Sequence, residues 1–226
     1  MIPQTRPQIR IDPALKALWP EARLGCLTWR ALPSPEHPAL WTFFTREILP
    51  GLGKTLQDTP LAELPNLGES RRAYKAFGRD PGRTRVSSEA LYRRIRQGKE
   101  LYRINSVVDA SNLVSLETGF SLGSYDLARL EGGLLFRLGE AGEMYAGIGK
   151  DGIDLARLPL LADARGPFGS PSSDSQRAMI SLESRDILTV IYGFSGQEEL
   201  EAALALARKR LADFAEAGNC AVFTVC

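Results

Sequence analysis

The sequence predicts an α+β fold in which mixed β-sheets are covered by packed helices. Short runs rich in β-branched or apolar residues, bounded by glycine and proline, recur along the chain, with ILTVIYGF (Ile187 to Phe194) and CAVFTV (Cys220 to Val225) the clearest. Between them lie segments whose apolar residues return every three or four positions, the mark of a helix with one buried face. No repeat or low-complexity tract is present, and the length fits one large or two small domains.

Taken in order, QIRI (Gln8 to Ile11) and RLGCLTW (Arg23 to Trp29) read as strands flanking a short helix opened by Pro13, where a missing N–H costs no hydrogen bond. A helix is expected from Pro38 to Leu49 on Leu40, Phe43, Phe44 and Ile48, with PGLGK as its stop. Asn66 is placed to cap a helix containing Arg71, Arg72, Tyr74 and Lys75, closed by Gly78 in the left-handed conformation. SSEALYRRIRQG predicts a helix with Ser87 or Ser88 as N-cap and Gly98 as stop, and the next runs from Asn105 to Thr118 with Gly119 after it. GLLFRL (Gly133 to Leu138) and MYAGIG (Met144 to Gly149) read as strands joined by the turn Glu140 to Glu143, with GIGKDG a hairpin turn. GPFGSPSSDSQ (Gly166 to Gln176) is a hydroxyl-rich loop. In the last third, Ser195 and Glu198 suggest a capping box, Leu200, Leu204, Ala207, Leu211 and Phe214 mark one helical face, and Gly218 is the expected stop. We expect residues 1–65 to form an N-terminal α/β segment packed on a core domain spanning 66–226.

Composition narrows the chemistry. The 226 residues, 44% of them hydrophobic, suffice for a full core. No apolar run reaches the roughly 18 residues of a membrane span, and MIPQTRPQIR lacks the apolar stretch of a signal peptide, so a cytoplasmic protein without membrane association is expected. The three cysteines have no CxxC spacing and are expected to be reduced. His37 is the sole histidine and sits in the proline-rich SPEHP, which argues against His-based metal sites and imidazole-dependent triads. No metal or other cofactor is implied by any motif. Net charge is +1, yet Arg71 to Arg103 holds eleven Lys/Arg against three acids, the footprint of a phosphate-bearing partner. Arg71, Arg72, Lys75, Arg93, Arg94 and Arg96 are the candidate nucleic-acid contacts.

The least ordinary stretch is INSVVDASNLVSLETGFSLGSYD, Ile104 to Asp126, where an otherwise apolar helix carries Asn105, Asp109, Ser111, Asn112, Ser115 and Glu117. Short hydrogen-bonding side chains suit a helix that lines a polar pocket. They equally suit a helix whose serines bond back to its own preceding turn while Asn112 caps a neighbouring loop.

This run, with SSEALYRRIRQGK before it and LARLEGG after it, resembles the B3/B4 domain of the phenylalanyl-tRNA synthetase β chain, and more closely the free-standing B3/B4 proteins. The resemblance covers about Arg71 to the C-terminus and implies a B3/B4-like editing-domain architecture. In the synthetase that domain hydrolyses the ester joining a wrong amino acid, tyrosine, to the tRNA 3′ end. It therefore implies that this chain deacylates mischarged aminoacyl-tRNA in trans, with aminoacylated tRNA as partner. Val108-Asp109-Ala110-Ser111-Asn112 matches the family's V-D-x-T-N, so Asn112 stands at the pocket asparagine and Ser111 at the pocket threonine. Gly119, Ser121, Gly123 and Asp126 fall at the Gly, Pro, His and Asp positions of the family's next motif, which puts Gly123 in place of the pocket histidine. The acidic residue that reads a tyrosine hydroxyl has its counterpart in GSPSSDS, with Ser173, Asp174 and Ser175 as candidates.

An aminoacyl ester is already activated, so its hydrolysis needs a positioned water and oxyanion donors, each on the order of 3 kcal/mol, rather than a nucleophile-base pair. The expected catalytic residues are Asn112 and Asp174, with Ser111, Ser115, Gly123, Tyr125, Ser173 and Ser175 holding substrate. A non-catalytic module that binds tRNA or an amino acid in the same pocket is the competing reading.

Overall fold

The computed structural model describes residues 6–218 and 220–226. Strand β1 (Ile9–Ile11) leads into α1 (Pro13–Leu18), whose N-cap Asp12 accepts the Ala14 N–H at 2.8 Å. Strand β2 (Arg23–Arg30) follows, then α2 (Pro38–Phe43), a π-helical turn (Phe44–Ile48) and α3 (Leu49–Asp58). The helix does not end at PGLGK as expected. Pro50 falls in the first turn of α3, where its lost N–H is harmless, and buried Leu56 holds the extra turns down. His37 caps α2, its ring accepting the Leu40 N–H at 3.3 Å.

Helix α4 (Leu67–Ala76) begins at Asn66, but not through a side-chain cap. Asn66 instead donates to the Thr118 carbonyl at 2.7 Å and accepts from Ser195 Oγ at 2.6 Å, spanning three separate segments. Helix α5 (Ser87–Arg96) likewise has no side-chain cap, because Ser88 turns inward to Ser121 Oγ at 3.1 Å. Helix α6 (Ser106–Thr118) starts as read: Asn105 accepts the Val108 N–H at 3.0 Å. Gly119 closes it with φ +80°, and a Cβ there would lie 2.1 Å from the Pro65 carbonyl, so only glycine fits.

The remaining elements are β3 (Ser121–Asp126), β4 (Leu134–Leu138), β5 (Met144–Gly147), β6 (Lys150–Asp154), β7 (Pro159–Asp163), β8 (Gly166–Gly169), β9 (Asp186–Gly193), α7 (Gln197–Ala215) and β10 (Ala221–Val225). One sheet has the order β1-β4-β7-β8, with β1 and β4 parallel; the other, β10-β2-β9-β3, is antiparallel throughout. Strands β4 and β5 are not the hairpin the sequence suggested, since β4 pairs with β1 and β7 while β5 pairs with β6 across GIGK. The first residues of GPFGSPSSDSQ are strand β8 rather than loop. Ser195, engaged with Asn66, leaves the N-cap of α7 to Gly196, and that helix ends at Ala215 on left-handed Glu216, short of Gly218.

Alternation along the strands decides what each face of the second sheet meets. Helices α6 and α7 cover one face, joined by a two-pronged Arg210–Glu117 pair at 2.6 and 2.8 Å. The other face turns to the first sheet, where Phe136 of β4 meets Tyr192 of β9 at 5.7 Å between ring centres and Phe168 of β8 meets Tyr125 of β3 at 5.0 Å. With both faces covered, all of β9 except its first residue is buried, which is why it reads as a continuous apolar run.

Candidate functional site

The polar residues of α6 serve two ends. At its start Asn105 caps, and Asp109 accepts the Ile104 N–H at 3.0 Å. The second Asp109 oxygen is buried without a partner, and burial lifts this carboxyl to about 6. Along its length Ser111 and Ser115 donate to the carbonyls of Val107 and Ser111 at 2.9 and 3.1 Å, the back-bonding that satisfies a hydroxyl inside a helix. Ser111 also meets Ser124 at 2.9 Å, which meets Thr189 at 2.9 Å, which takes the Trp29 indole N–H at 3.1 Å. Asn112 is half-buried, and its amide makes no hydrogen bond among the described residues.

A second cluster gathers around Asp174. Its Oδ1 accepts from Tyr125 Oη at 2.7 Å and from the Ser170 N–H at 3.2 Å, and Tyr125 Oη lies 2.5 Å from Tyr192 Oη. Tyr145 donates to the Ser173 carbonyl and, at 3.2 Å, to Ser170 Oγ, while Tyr74 meets Ser172 Oγ at 2.9 Å. Burial pushes Asp174 up to about 7 against the opposing pull of the Tyr125 hydroxyl. Tyr125 and Tyr192 are raised in turn by their own burial and by the Asp174 charge. The arrangement is a carboxyl able to change protonation near neutrality inside a ring of hydroxyls. Ser175 is a local cap, accepting the Arg177 N–H at 3.1 Å, and Ser173 contributes its backbone to the loop.

The structure does not bring Ser111 and Asp174 together. Ser111 reaches Ser124 on the helix-facing side of β3, whereas Asp174 meets Tyr125, the next residue, on the opposite side. Ser111, Asn112 and Ser115 therefore sit on a helix across β3 from Asp174, Ser173 and Tyr125, and the single pocket expected from the sequence is two polar clusters. Gly123 shares the Asp174 side: a Cβ on Gly123 would lie 2.1 Å from Tyr125 Oη, and one on Gly169 2.2 Å. The two glycines are the floor on which the Tyr125 ring rests, fully sealed at 0% exposure.

The candidate basic residues also divide. Glu89, 0% exposed, binds Arg71 Nη1 and Arg93 Nε at 2.8 Å each. Arg72 is exposed and pairs with Glu69 at 2.7 Å, and Arg94 donates to the Glu100 carbonyl while its guanidinium stacks 3.8 Å over Tyr102. Lys75 and Arg96 are exposed and make no ion pair among the described residues. Reading the sequence missed Tyr74, Tyr145, Tyr192 and Ser170; only the hydroxyl-rich composition of the 170–175 loop hinted at the cluster they form.

The family model described as the B3/4 domain matches residues 69–209, more than half of the chain. The chain belongs to the B3/4 domain family. Among solved structures, this B3/4 domain is similar to an N-terminal fragment of the phenylalanyl-tRNA synthetase beta-subunit from Pyrococcus horikoshii, with a TM-score of 0.50 and 11% identity, covering 100% of this chain and 52% of that one. At that identity the likeness shows the fold, and the chain spans about half the length of the fragment it matches. No curated protein matches the sequence.

Within the B3/4 domain, much of the motif that carried the resemblance is architectural. Asn105 and Asp109 organise the start of α6, Gly119 ends it, and Asp126 accepts the Ala128 N–H at 3.0 Å and the Ser184 hydroxyl at 2.8 Å. Asn112 is the motif side chain left without such work. No group of three His, Cys, Asp or Glu able to hold a metal occurs among the described residues, and no helix there is long and apolar enough to cross a membrane.

Proposed function

We propose that this chain hydrolyses mischarged aminoacyl-tRNA in trans, at the ester joining the amino acid to the tRNA 3′ end, in the cytoplasm. The observation that supports this reading is Asp174: a carboxyl lifted to about 7, flanked by the hydroxyls of the 170–175 loop, in a B3/4 domain. Oδ1 is occupied by Tyr125 and the Ser170 N–H, and Oδ2 takes no hydrogen bond from the described residues. As carboxylate, Asp174 draws a proton from a water while the water oxygen bonds to the ester carbonyl carbon. When the tetrahedral intermediate collapses, the C–O bond to the ribose breaks, and the departing ribose oxygen regains a proton from Asp174, assisted by the vicinal ribose hydroxyl. Hydroxyl and backbone donors of the loop stabilise the oxyanion. Asn112 takes no part in the proton transfer in this scheme; its unengaged amide anchors the aminoacyl or ribose end of the substrate across the edge of β3.

The test is deacylation of a panel of correctly and incorrectly charged tRNAs. Selective loss from mischarged pairs is expected, rising with pH through about 7 as Asp174 ionises. Asp174→Asn should abolish this activity, and Asn112→Ala should raise KM. Full activity in Asp174→Asn would overturn the assignment.

A second reading, a non-catalytic module that binds tRNA or an amino acid, draws on a separate observation. The Tyr125 ring already lies over Gly123 and Gly169, and its hydroxyl already occupies one oxygen of Asp174. A flat deacylation panel with tRNA binding intact would establish that reading.

A further inference from the structure

A cleft of about 380 Å³ opens between the C-terminal end of α3 and helices α4 and α5, away from the Asp174 cluster. Arg71, Arg93 and Arg96 line it, together with Gln57, Asp58 and Thr59. Glu89 does not line the cleft but stands behind it, its two carboxylate oxygens each taken by one arginine at 2.8 Å. A guanidinium carries five N–H donors in a fixed plane, so anchoring Arg71 and Arg93 at one edge pre-orients the donors that remain. Arg96 follows Arg93 by one helical turn and has no carboxylate of its own among the described residues. Three guanidiniums thus face a cleft against Glu89 and Asp58, an excess of positive charge held in place by a buried anion.

We propose that this cleft is a phosphate site that anchors one backbone phosphate of an RNA strand. The proposal rests on the tRNA reading above and deepens it by naming where the strand is gripped. Bidentate guanidinium donors match a tetrahedral oxyanion. A second feature, carried by helix α5 itself and the segment after it, favours a strand over a free ion. Past the last turn of α5, Tyr102 is 67% exposed with Arg94 stacked 3.8 Å above its ring, an aromatic and guanidinium platform suited to an unpaired base. Of the six basic residues expected to meet nucleic acid, Arg71, Arg93 and Arg96 share this cleft, whereas Arg72 does not line it.

The experiment is fluorescence polarisation of a labelled, uncharged tRNA against the full chain across a salt series, which needs no hydrolysis. Arg96→Ala, an exposed change with no fold consequence, should weaken binding about three- to tenfold at low salt and reduce the slope of log K against log salt by about 0.7–0.9, the value of one lost phosphate contact. Asp58→Asn should tighten binding by removing the rim carboxylate, an opposite sign that a merely structural role would not produce. Arg208→Ala, exposed on α7 and outside the cleft, should change affinity less than twofold. Inorganic phosphate should compete with tRNA in wild type and not in Arg96→Ala. Unchanged tRNA affinity and slope in Arg96→Ala and Asp58→Asn would overturn the proposal. Phosphate binding lost in Arg96→Ala while tRNA affinity holds would overturn the RNA assignment and leave a free phosphate as the ligand. Absence of any tRNA binding by wild type would instead overturn the tRNA reading itself.

Discussion

The Tyr125 ring explains why Gly123 stands where the family pattern has a histidine. Residues 123 and 125 point to the same face of β3, and the ring lies down across the position with no side chain. Gly123→Ala places a Cβ 2.1 Å from a sealed hydroxyl that already holds two partners, so it should cost about 1–3 kcal/mol in a denaturant titration. In a Tyr125→Ala background the same change should cost little, a double-mutant cycle that isolates the contact. Asp174 carries a second consequence. Its folded-state affinity for a proton is raised, so the folded chain binds more protons than the unfolded one between about pH 4 and about pH 7. That contribution is complete below this window and is lost as pH rises through it. Thermal melts should therefore show wild type losing stability from pH 5 to pH 8 relative to Asp174→Asn, and parallel curves for the two proteins would remove Asp174 as the cause.

At the level of elements, the caps show where sequence reading succeeds and where it cannot. Asn105 was read as the start of α6, and the structure makes it the N-cap through Val108 N–H, only three residues away; Asn105→Ala should destabilise the fold by about 1 kcal/mol on chemical unfolding. Asn66, Ser88 and Ser195 have the right composition for caps, yet each spends its side chain on a residue far along the chain, which no local pattern encodes. Helix α7 was readable from its apolar face because burial of Leu200, Leu204, Ala207 and Leu211 is periodic. The β4–β5 hairpin was misread for the reverse reason. Turn residues between two strands announce a bend, but β4 pairs with β1, brought in from the N-terminus, and with β7. The hydroxyl-rich loop was visible as a candidate site, while Tyr74, Tyr145 and Tyr192 come from a helix and two strands that only the tertiary fold assembles around it.

For the molecule as a whole, the segment before residue 65 is woven into both sheets. Strand β1 borders the first, and β2 lies inside the second between β10 and β9. The family model begins at residue 69, so the matched region lacks the strand that joins β9 to the C-terminal β10. Two arginines of the cleft are held by one buried carboxylate, Glu89, and the hydroxyl cluster gathers on one half-buried carboxyl, Asp174, so each functional candidate is a tertiary product built around a single acid.

The Asn66 side chain bears on the lifetime of the folded state. It ties Thr118, at the end of α6, to Ser195, ahead of α7, across 52 and 129 residues of chain, and such a tie can close only after both loops have closed. We therefore expect it to form on the late side of the folding barrier. Stopped-flow measurements on Asn66→Ala should show the refolding arm nearly unchanged and the unfolding arm accelerated about tenfold, so that this one amide sets how long a folded molecule lasts rather than how fast it forms.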